Sequence, residues 1–131
     1  MCGVLGYFGA DIKGFLEACS LDRISHRGPD YQSDTVGKNF YLGHTRLSIL
    51  DTSNAAHQPI FTADASSVLV FNGEIYNHED LREEYLSDIT FRSSGDSETL
   101  LYGLDRYGVD FLNRLNGIFA FSFLNIKSLM F

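Results

Sequence analysis

The order of apolar and polar positions along the chain predicts an α+β domain. Residues 1–9 alternate small and apolar side chains, a pattern that is typical of a strand. Further extended stretches are predicted at 31–36, 39–44, 47–50, 67–71 and 117–124. The last of these is apolar at nearly every position, so we expect a strand that is covered on both faces.

Apolar residues at helical spacing predict three helices, at 11–25, 78–85 and 97–107, and a short helical turn at 109–115. The first helix should end where Gly28 and Pro29 follow, and the third at Gly108. Asn77 is a candidate N-cap of the second helix. We expect the charged side chains of that helix to be solvated: Glu79, Asp80, Arg82, Glu83 and Glu84.

Composition limits the classes of protein to which the chain can belong. Its 131 residues, 44% of them hydrophobic, suffice for one domain with a core. A net charge of −7 argues against a nucleic-acid or anionic-membrane surface. There is no leader pattern and no apolar run near the ~20 residues that cross a bilayer, so we expect a cytoplasmic protein. Two cysteines make no disulfide framework, and no metal-ligand spacing occurs, so no metal site is predicted.

Cys2 lies directly behind the initiator methionine and is the first candidate for chemistry. If Met1 is removed, this residue carries both a thiol and a free α-amine. An α-amine has an ordinary pKa of about 7.7–8.0, so it can serve as the base that deprotonates the thiol. One alternative stays open on this stretch alone: Cys2 is an ordinary small apolar residue near a chain end, which could be oxidised with Cys19.

Two charged residues lie at element boundaries, and each has both a possible binding role and a purely structural alternative. Arg46, at the entry to the predicted strand 47–50, has a planar guanidinium that can hold a carboxylate with two hydrogen bonds. The alternative is an ion pair with Asp51. Asp96 begins the third helix, where aspartate is a preferred N-cap and needs no other role. A partly exposed carboxylate at this position can also receive an ammonium group.

Asn72 and Gly73 follow the strand 67–71 directly, and the dipeptide predicts a tight turn. In such a turn the Gly73 N–H and the Asn72 side-chain amide can point at one ligand atom, as in an oxyanion hole. The alternative is a simple hairpin turn. We favour the first interpretation because the residues after the turn are helical in pattern rather than a second alternating strand.

Six short motifs occur in an order that resembles one known family. They begin at Cys2, His26, Arg46, Asn72, Gly95 and Gly117, and read Cys-Gly, His-Arg-Gly-Pro-Asp, Arg-Leu-Ser-Ile-Leu-Asp, Asn-Gly-Glu-Ile-Tyr-Asn-His, Gly-Asp-Ser-Glu and Gly-Ile-Phe-Ala-Phe. The chain resembles the glutaminase domain of glutamine-hydrolysing asparagine synthetases, which are class II glutamine amidotransferases. The resemblance runs from residue 1 to about residue 124.

The resemblance implies a role for each matching residue. Cys2 would be the nucleophile, and Asn72 with Gly73 the oxyanion hole. The residues that match the family's glutamine pocket are Arg46, Leu47, Ser48, Ile49, Leu50, Asn72, Gly73, Glu74 and Asp96. Among them, Arg46 would bind the substrate α-carboxylate, while Asp96 and Glu74 would lie near its α-amine. The family often has a serine where this chain has Gly95, which affects the expected pose of Asp96.

The resemblance also implies a fold and partners. The fold is the four-layer αββα sandwich of N-terminal-nucleophile hydrolases, and we expect residues 1–131 to be one such domain that is incomplete at its C-terminus. The implied partners are L-glutamine and a synthetase domain or subunit that accepts ammonia, with a homodimer among the assemblies of the full-length protein. No nucleic acid or membrane partner is expected. No cofactor is expected in this domain, whereas ATP and magnesium would belong to the synthetase domain.

Two other functions stay open at this point. One is a non-catalytic fragment or interaction module that keeps the fold. The other is an amidotransferase with a different ammonia acceptor, because no residue of this chain identifies the acceptor.

Overall fold

The computed structural model describes residues 2–48 and 57–128, which form six strands and three α-helices. In chain order the elements are β1 (Gly3–Phe8), α1 (Ile12–Ala18), a 3₁₀ helix (Leu21–Arg27), β2 (Tyr31–Val36), β3 (Phe40–Arg46), β4 (Ile60–Phe61), β5 (Ser67–Ile75), α2 (His78–Tyr85), α3 (Asp96–Tyr107), a second 3₁₀ helix (Gly108–Arg114) and β6 (Gly117–Asn125). None of the helices in these two ranges has the length and apolar character needed to span a bilayer.

The helices that the sequence predicts are confirmed for α2 and α3, but the first prediction is wrong. The predicted helix 11–25 ends at Ala18, and Cys19 has an extended backbone with φ −124° and ψ 141°. Ser20 is also extended, and its hydroxyl accepts a hydrogen bond from the Asp22 amide, so it caps a separate 3₁₀ helix. A serine that caps a new helix competes with continuation of the old one. Cys19 is therefore half-buried at a break between two helices.

Within the described residues all strand pairs are antiparallel, and they form two three-stranded sheets. The first sheet has the order β1-β3-β2 and the second the order β4-β5-β6. The predicted strand 31–36 is confirmed as β2. The prediction of a strand at 47–50 is wrong for Leu47 and Ser48, which have an irregular backbone. Ile49 and Leu50 lie outside the described residues.

The tight turn predicted at Asn72 and Gly73 is also wrong, because β5 continues through both residues. Asn72 pairs with Ala120 of β6, and Gly73 pairs with Phe119. The φ of Gly73 is 156°, and a Cβ on this residue would lie 2.3 Å from the Ile118 carbonyl oxygen. Glycine therefore permits a close strand pairing here rather than a reversal of the chain. The pairing with a strand more than forty residues away is invisible to a local turn signal.

Burial along β6 contradicts the expectation that this strand is covered on both faces. Its exposure alternates through its first half, and Ile118 is 76% exposed. The side chains of Phe119, Phe121 and Phe123 pack on the helical side of the sheet. The opposite face is buried at Leu124, which belongs to the core between the two sheets.

The chain packs as four layers in the order helix, sheet, sheet, helix, which confirms the predicted αββα architecture. Leu42 of β3 meets Val68 and Val70 of β5 between the sheets. On the outer face of the second sheet, apolar residues of α3 pack against alternate residues of β5. On the outer face of the first sheet, the Phe15 and Tyr41 rings lie 5.2 Å apart.

Replacing Leu42 by alanine tests whether the space between the sheets carries the fold. Leu42 is fully buried there, so we expect Leu42→Ala to lower the free energy of unfolding by about 2–5 kcal/mol, since the cavity cannot collapse between two paired sheets. Urea unfolding measures this change. Leu16→Ala is the matched control, because Leu16 is 44% exposed and should cost well under half as much. Equal losses in both variants would contradict the layer assignment.

Candidate active site

Cys2 lies just before β1, where its thiol contacts the backbone of Leu47. The Leu47 amide lies 3.4 Å from the Cys2 Sγ and donates to it, and the Leu47 carbonyl oxygen lies 3.7 Å away. Gly3 pairs with Thr45, so the next position along the strand places Cys2 opposite Arg46. Both cysteines are free and half-buried, so the structure does not contain the oxidised Cys2–Cys19 pair.

Arg46 is the last residue of β3, and its side chain lies on the face of the strand that points toward the second sheet. Side chains alternate along a strand, so Leu42, His44 and Arg46 share one face, and Leu42 is in the core between the sheets. Arg46 is only 5% exposed. Asp51, its alternative ion-pair partner, lies outside the described residues. The guanidinium is thus directed into the same inter-sheet region as Val4, the residue that follows Gly3 on β1.

The His-Arg-Gly-Pro-Asp motif holds the end of β3 in place, a role that the sequence analysis missed. Its Gly28 lies against Thr45 so closely that a Cβ would be 2.2 Å from the Thr45 carbonyl carbon. The Asp30 amide donates to the Arg46 carbonyl oxygen at 3.0 Å, and the Asp30 carboxylate accepts from the Ser48 amide at 2.7 Å. Local pattern identifies the motif only as a helix terminator, although its match to the family already singles it out.

Arg27 of the same motif connects it to the nucleophile candidate. Its Nε donates to the Cys2 carbonyl oxygen at 3.2 Å. The motif therefore contacts both chain segments that flank the thiol, the one at residue 2 and the one at residues 46–48.

Asn72 and Glu74 lie on β5, on the face that points toward the first sheet. They share this face with Val68 and Val70, whose side chains pack against Leu42. Asn72 is half-buried and Glu74 is exposed. Cys2 and Arg46 on one sheet and Asn72 and Glu74 on the other are thus on facing surfaces. The turn from which an oxyanion hole was predicted is absent, so the two donors would have to act from an extended strand.

Asp96 lies at the first position of α3, not at its N-cap, which is Gly95. Its Oδ2 accepts a hydrogen bond of 2.8 Å from the Ile75 amide, at the end of β5. Burial raises the pKa of the Asp96 carboxyl, while the Ile75 hydrogen bond and nearby His78 act in the opposite direction. Asp96 is therefore tied to the residue after Glu74, which brings these two carboxylates to one end of the strand.

His44 is a buried ionisable residue beside the site that the sequence analysis did not single out. It is 1% exposed, and neither ring nitrogen makes a well-formed hydrogen bond within the described residues. The pKa of His44 is lowered to about 4, mainly by burial; the charges of Arg46 and His57 act in the same direction, and the Phe71 backbone, the second largest influence, opposes them. The signal available in the sequence was its alternation with Leu42 and Arg46 on one strand face.

Two surface depressions lie away from the predicted site residues. A groove of about 310 Å³ lies elsewhere, against Phe8, Leu104 and Val109, and a shallow polar depression of about 380 Å³ lies near Cys19 and Tyr41. Neither is lined by Cys2, Arg46, Asn72, Glu74 or Asp96.

Comparison with solved structures supports the architecture. A glutamine phosphoribosylpyrophosphate amidotransferase from B. subtilis, complexed with ADP and GMP, superimposes with a TM-score of 0.74. The match covers 96% of this chain and 35% of that chain, at 19% sequence identity. The fold is therefore that of the N-terminal-nucleophile hydrolase sandwich of class II amidotransferases.

The sequence comparisons give the family. A sequence model of the family described as glutamine amidotransferase domain matches residues 1–129. This chain therefore belongs to that family. It is 37% identical to asparagine synthetase [glutamine-hydrolyzing] 1 of Arabidopsis thaliana, over 97% of this chain and 22% of the relative. It is 41% identical to asparagine synthetase B [glutamine-hydrolyzing] of Escherichia coli K12, over 93% of this chain and 23% of the relative. The chain thus spans about a fifth of the length of these relatives.

The depressed pKa of His44 predicts a loss of stability in mild acid. The folded-state pKa of about 4 lies below the ordinary value of 6.5, so the unfolded chain binds a proton that the folded chain excludes. Stability should therefore fall as the pH drops below about 6.5 and the loss should be complete below about 4, amounting to about 3 kcal/mol. Urea unfolding of the wild type and His44→Leu between pH 7 and 4 measures the difference in slope.

The control for this prediction is His26→Gln, which removes an exposed imidazole. It should show the same pH dependence as the wild type. If His44→Leu also matched the wild type, the assignment of the acid sensitivity to His44 would be wrong.

Proposed function

We propose that this chain is a glutaminase domain, which hydrolyses the side-chain amide of L-glutamine to glutamate and ammonia through a thioester on Cys2. The observation that carries the proposal is the position of the Cys2 thiol. It lies against Leu47 at the end of β3, on the sheet surface that faces Asn72. Membership of the glutamine amidotransferase family supports the choice of substrate.

The proposed reaction begins with removal of Met1, which frees the α-amine of Cys2. The neutral amine takes the thiol proton, and the sulfur attacks the amide carbon of glutamine. The negative charge that develops on the amide oxygen is stabilised by the Asn72 side-chain amide and the Gly73 N–H. The protonated amine then gives its proton to the leaving nitrogen, and ammonia departs. Water attacks the thioester, which releases glutamate and restores the thiol.

The proposed substrate pose uses one cation and one pair of anions. The buried Arg46 guanidinium would bind the α-carboxylate, with the backbone of Leu47 and Ser48 beside it; Ile49 and Leu50 stay predictions, since they lie outside the described residues. Asp96 and Glu74 would receive the α-ammonium group. A positive charge beside Asp96 favours its ionised form and so opposes the effect of burial on its pKa.

We further propose that residues 1–131 form the glutaminase domain of a longer asparagine synthetase. The sequence identity of 37–41% to two glutamine-hydrolysing asparagine synthetases supports delivery of the ammonia to an asparagine synthetase domain rather than to another acceptor. The synthetase portion would receive the ammonia and would be the part that uses ATP and magnesium, and this domain would need no cofactor. A cytoplasmic location and a homodimer of the full-length protein are part of the same proposal.

A glutaminase assay on the Met1-free chain tests the proposed function. We expect glutamate and ammonia to form in equal amounts. Cys2→Ala should lower the rate at least ~10³-fold, because it removes the nucleophile. Cys19→Ala is the matched control and should keep the activity, since Cys19 lies at the break after α1.

Two outcomes would overturn the proposal. One is an absence of turnover by folded, Met1-free protein, which favours the non-catalytic alternative. The other is turnover that Cys2→Ala leaves unchanged. A chain that retains Met1 should be inactive because its Cys2 nitrogen is part of a peptide bond, and mass spectrometry of the N-terminus identifies that form.

A further inference from the structure

The segment 91–95, which joins the end of the α2 region to α3, is held by two side chains of opposite charge. It precedes Asp96 directly. Its hydrogen-bond donors are bound by Glu98 and its acceptors by Arg82. Neither residue is among the site residues described above.

Glu98 is a buried carboxylate whose hydrogen bonds are directed back at this segment. It is only 1% exposed, although it lies in the first turn of α3. Its Oε2 accepts from the Arg92 amide at 2.9 Å and from the Ser93 amide and hydroxyl at 2.8 and 3.0 Å. Its Oε1 accepts from the Arg92 Nε at 3.0 Å. A carboxylate is costly to bury, and this one is compensated by four donors, all from two residues of the segment.

Arg82 binds the other side of the segment from α2. Its Nη1 donates to the Ser93 carbonyl oxygen at 3.1 Å, and its Nη2 donates to the Gly95 carbonyl oxygen. The guanidinium also lies 3.8 Å from the centre of the Phe91 ring. Burial lowers the pKa of Arg82, while the charges of Glu98 and Asp96 favour its ionised form. The expectation that this arginine is merely solvated is wrong.

The segment leads straight into Asp96, so its position decides where that carboxylate lies. Arg82 fixes the Gly95 carbonyl, one peptide before Asp96, and its Nε donates to the Thr99 hydroxyl at 2.7 Å. The start of α3 is therefore held from both sides. The Asp96 carboxylate accepts from the Ile75 amide at 2.8 Å, three residues beyond Asn72 on β5.

We propose that Glu98 and Arg82 are positioning residues for recognition of the substrate α-ammonium group, acting through the segment 91–95 on Asp96. The identity of the substrate in this inference rests on the proposed function. The effect of Glu98 and Arg82 on the position of Asp96 does not depend on it. Loss of either side chain releases the segment, lets Asp96 move from the end of β5, and weakens the binding of glutamine more than its turnover.

Amide hydrogen exchange tests the structural part without any need for activity. In Glu98→Gln, an NH₂ donor replaces one acceptor oxygen. We therefore expect the Ile75 amide to exchange at least tenfold faster. The exchange rate of the Leu69 amide, at the centre of the strand, should change little. Asp88→Asn is the matched control. Asp88 also binds a helix α3 residue through two hydrogen bonds, to Arg106 at 2.6 and 2.7 Å, but far from Asp96. Unchanged protection of Ile75 in Glu98→Gln, or equal acceleration in Asp88→Asn, would overturn the inference.

The kinetic part compares glutamine with its analogue that lacks the α-amino group. Glu98→Gln should raise the KM for glutamine about tenfold, with little change in kcat and little change in the KM for the analogue. Arg82→Gln should do the same, and Arg82→Lys should restore part of the loss. An equal change in KM for both substrates would contradict a role in recognition of the α-ammonium group.

Asp96→Asn separates the failure of this inference from the failure of the proposed function. If Asp96→Asn raises the KM for glutamine selectively and Glu98→Gln does not, the positioning role is wrong and the proposed pose stands. If Asp96→Asn has no selective effect, the proposed role of Asp96 is wrong, and with it the substrate part of the inference.

Discussion

The packing of two sheets through one face of β3 and one face of β5 is the constraint on which the structure depends. Side chains alternate along both strands, so the residues that form the apolar interface and the candidate site residues share the same faces. Leu42 packs against Val68 and Val70 at one end of the interface. Farther along the same faces, β3 carries Arg46 and β5 carries Asn72 and then Glu74. A shift of either strand by one residue would turn both its apolar interface residues and its candidate site residues to the opposite face of the sheet.

This arrangement explains why a polar site can exist beside a dry core. The apolar pairs exclude water from the region between the sheets, and the polar residues begin where those pairs end. Charges that are partly shielded from water interact more strongly with a bound zwitterion than exposed charges do. The buried Arg46, the depressed pKa of His44 and the raised pKa of Asp96 are three consequences of that shielding.

Much of the fold could be predicted from the sequence, and the failures share one physical cause. The bounds of β2 and α2 follow from local periodicity and were predicted correctly. The turn at Asn72 and Gly73 was wrong because the pairing of β5 with β6 overrides a local turn preference. The first helix was predicted too long because a serine hydroxyl at its end caps a different helix. In each case a contact that periodicity does not encode decided the outcome.

The sequence could name candidate residues for the site, but not the contacts that hold them in place. The family resemblance named Cys2, Arg46, Asn72 and Asp96, and the structure brings the first three to facing surfaces and ties the fourth to the end of β5. The roles of Asp30 at Ser48 and of Glu98 at Ser93 depend on hydrogen bonds between segments that are unrelated in local pattern. Such contacts are visible only once the chain is folded.

The most direct measurement is the site of covalent labelling by a glutamine analogue that carries an electrophilic carbon in place of the amide. We expect the Met1-free chain to be labelled once, on Cys2. A crystal structure of the adduct should show the analogue's α-carboxylate at Arg46 and its α-ammonium group at Asp96. Labelling of Cys19 instead, or an adduct on Cys2 whose charged groups lie away from both residues, would contradict this expectation.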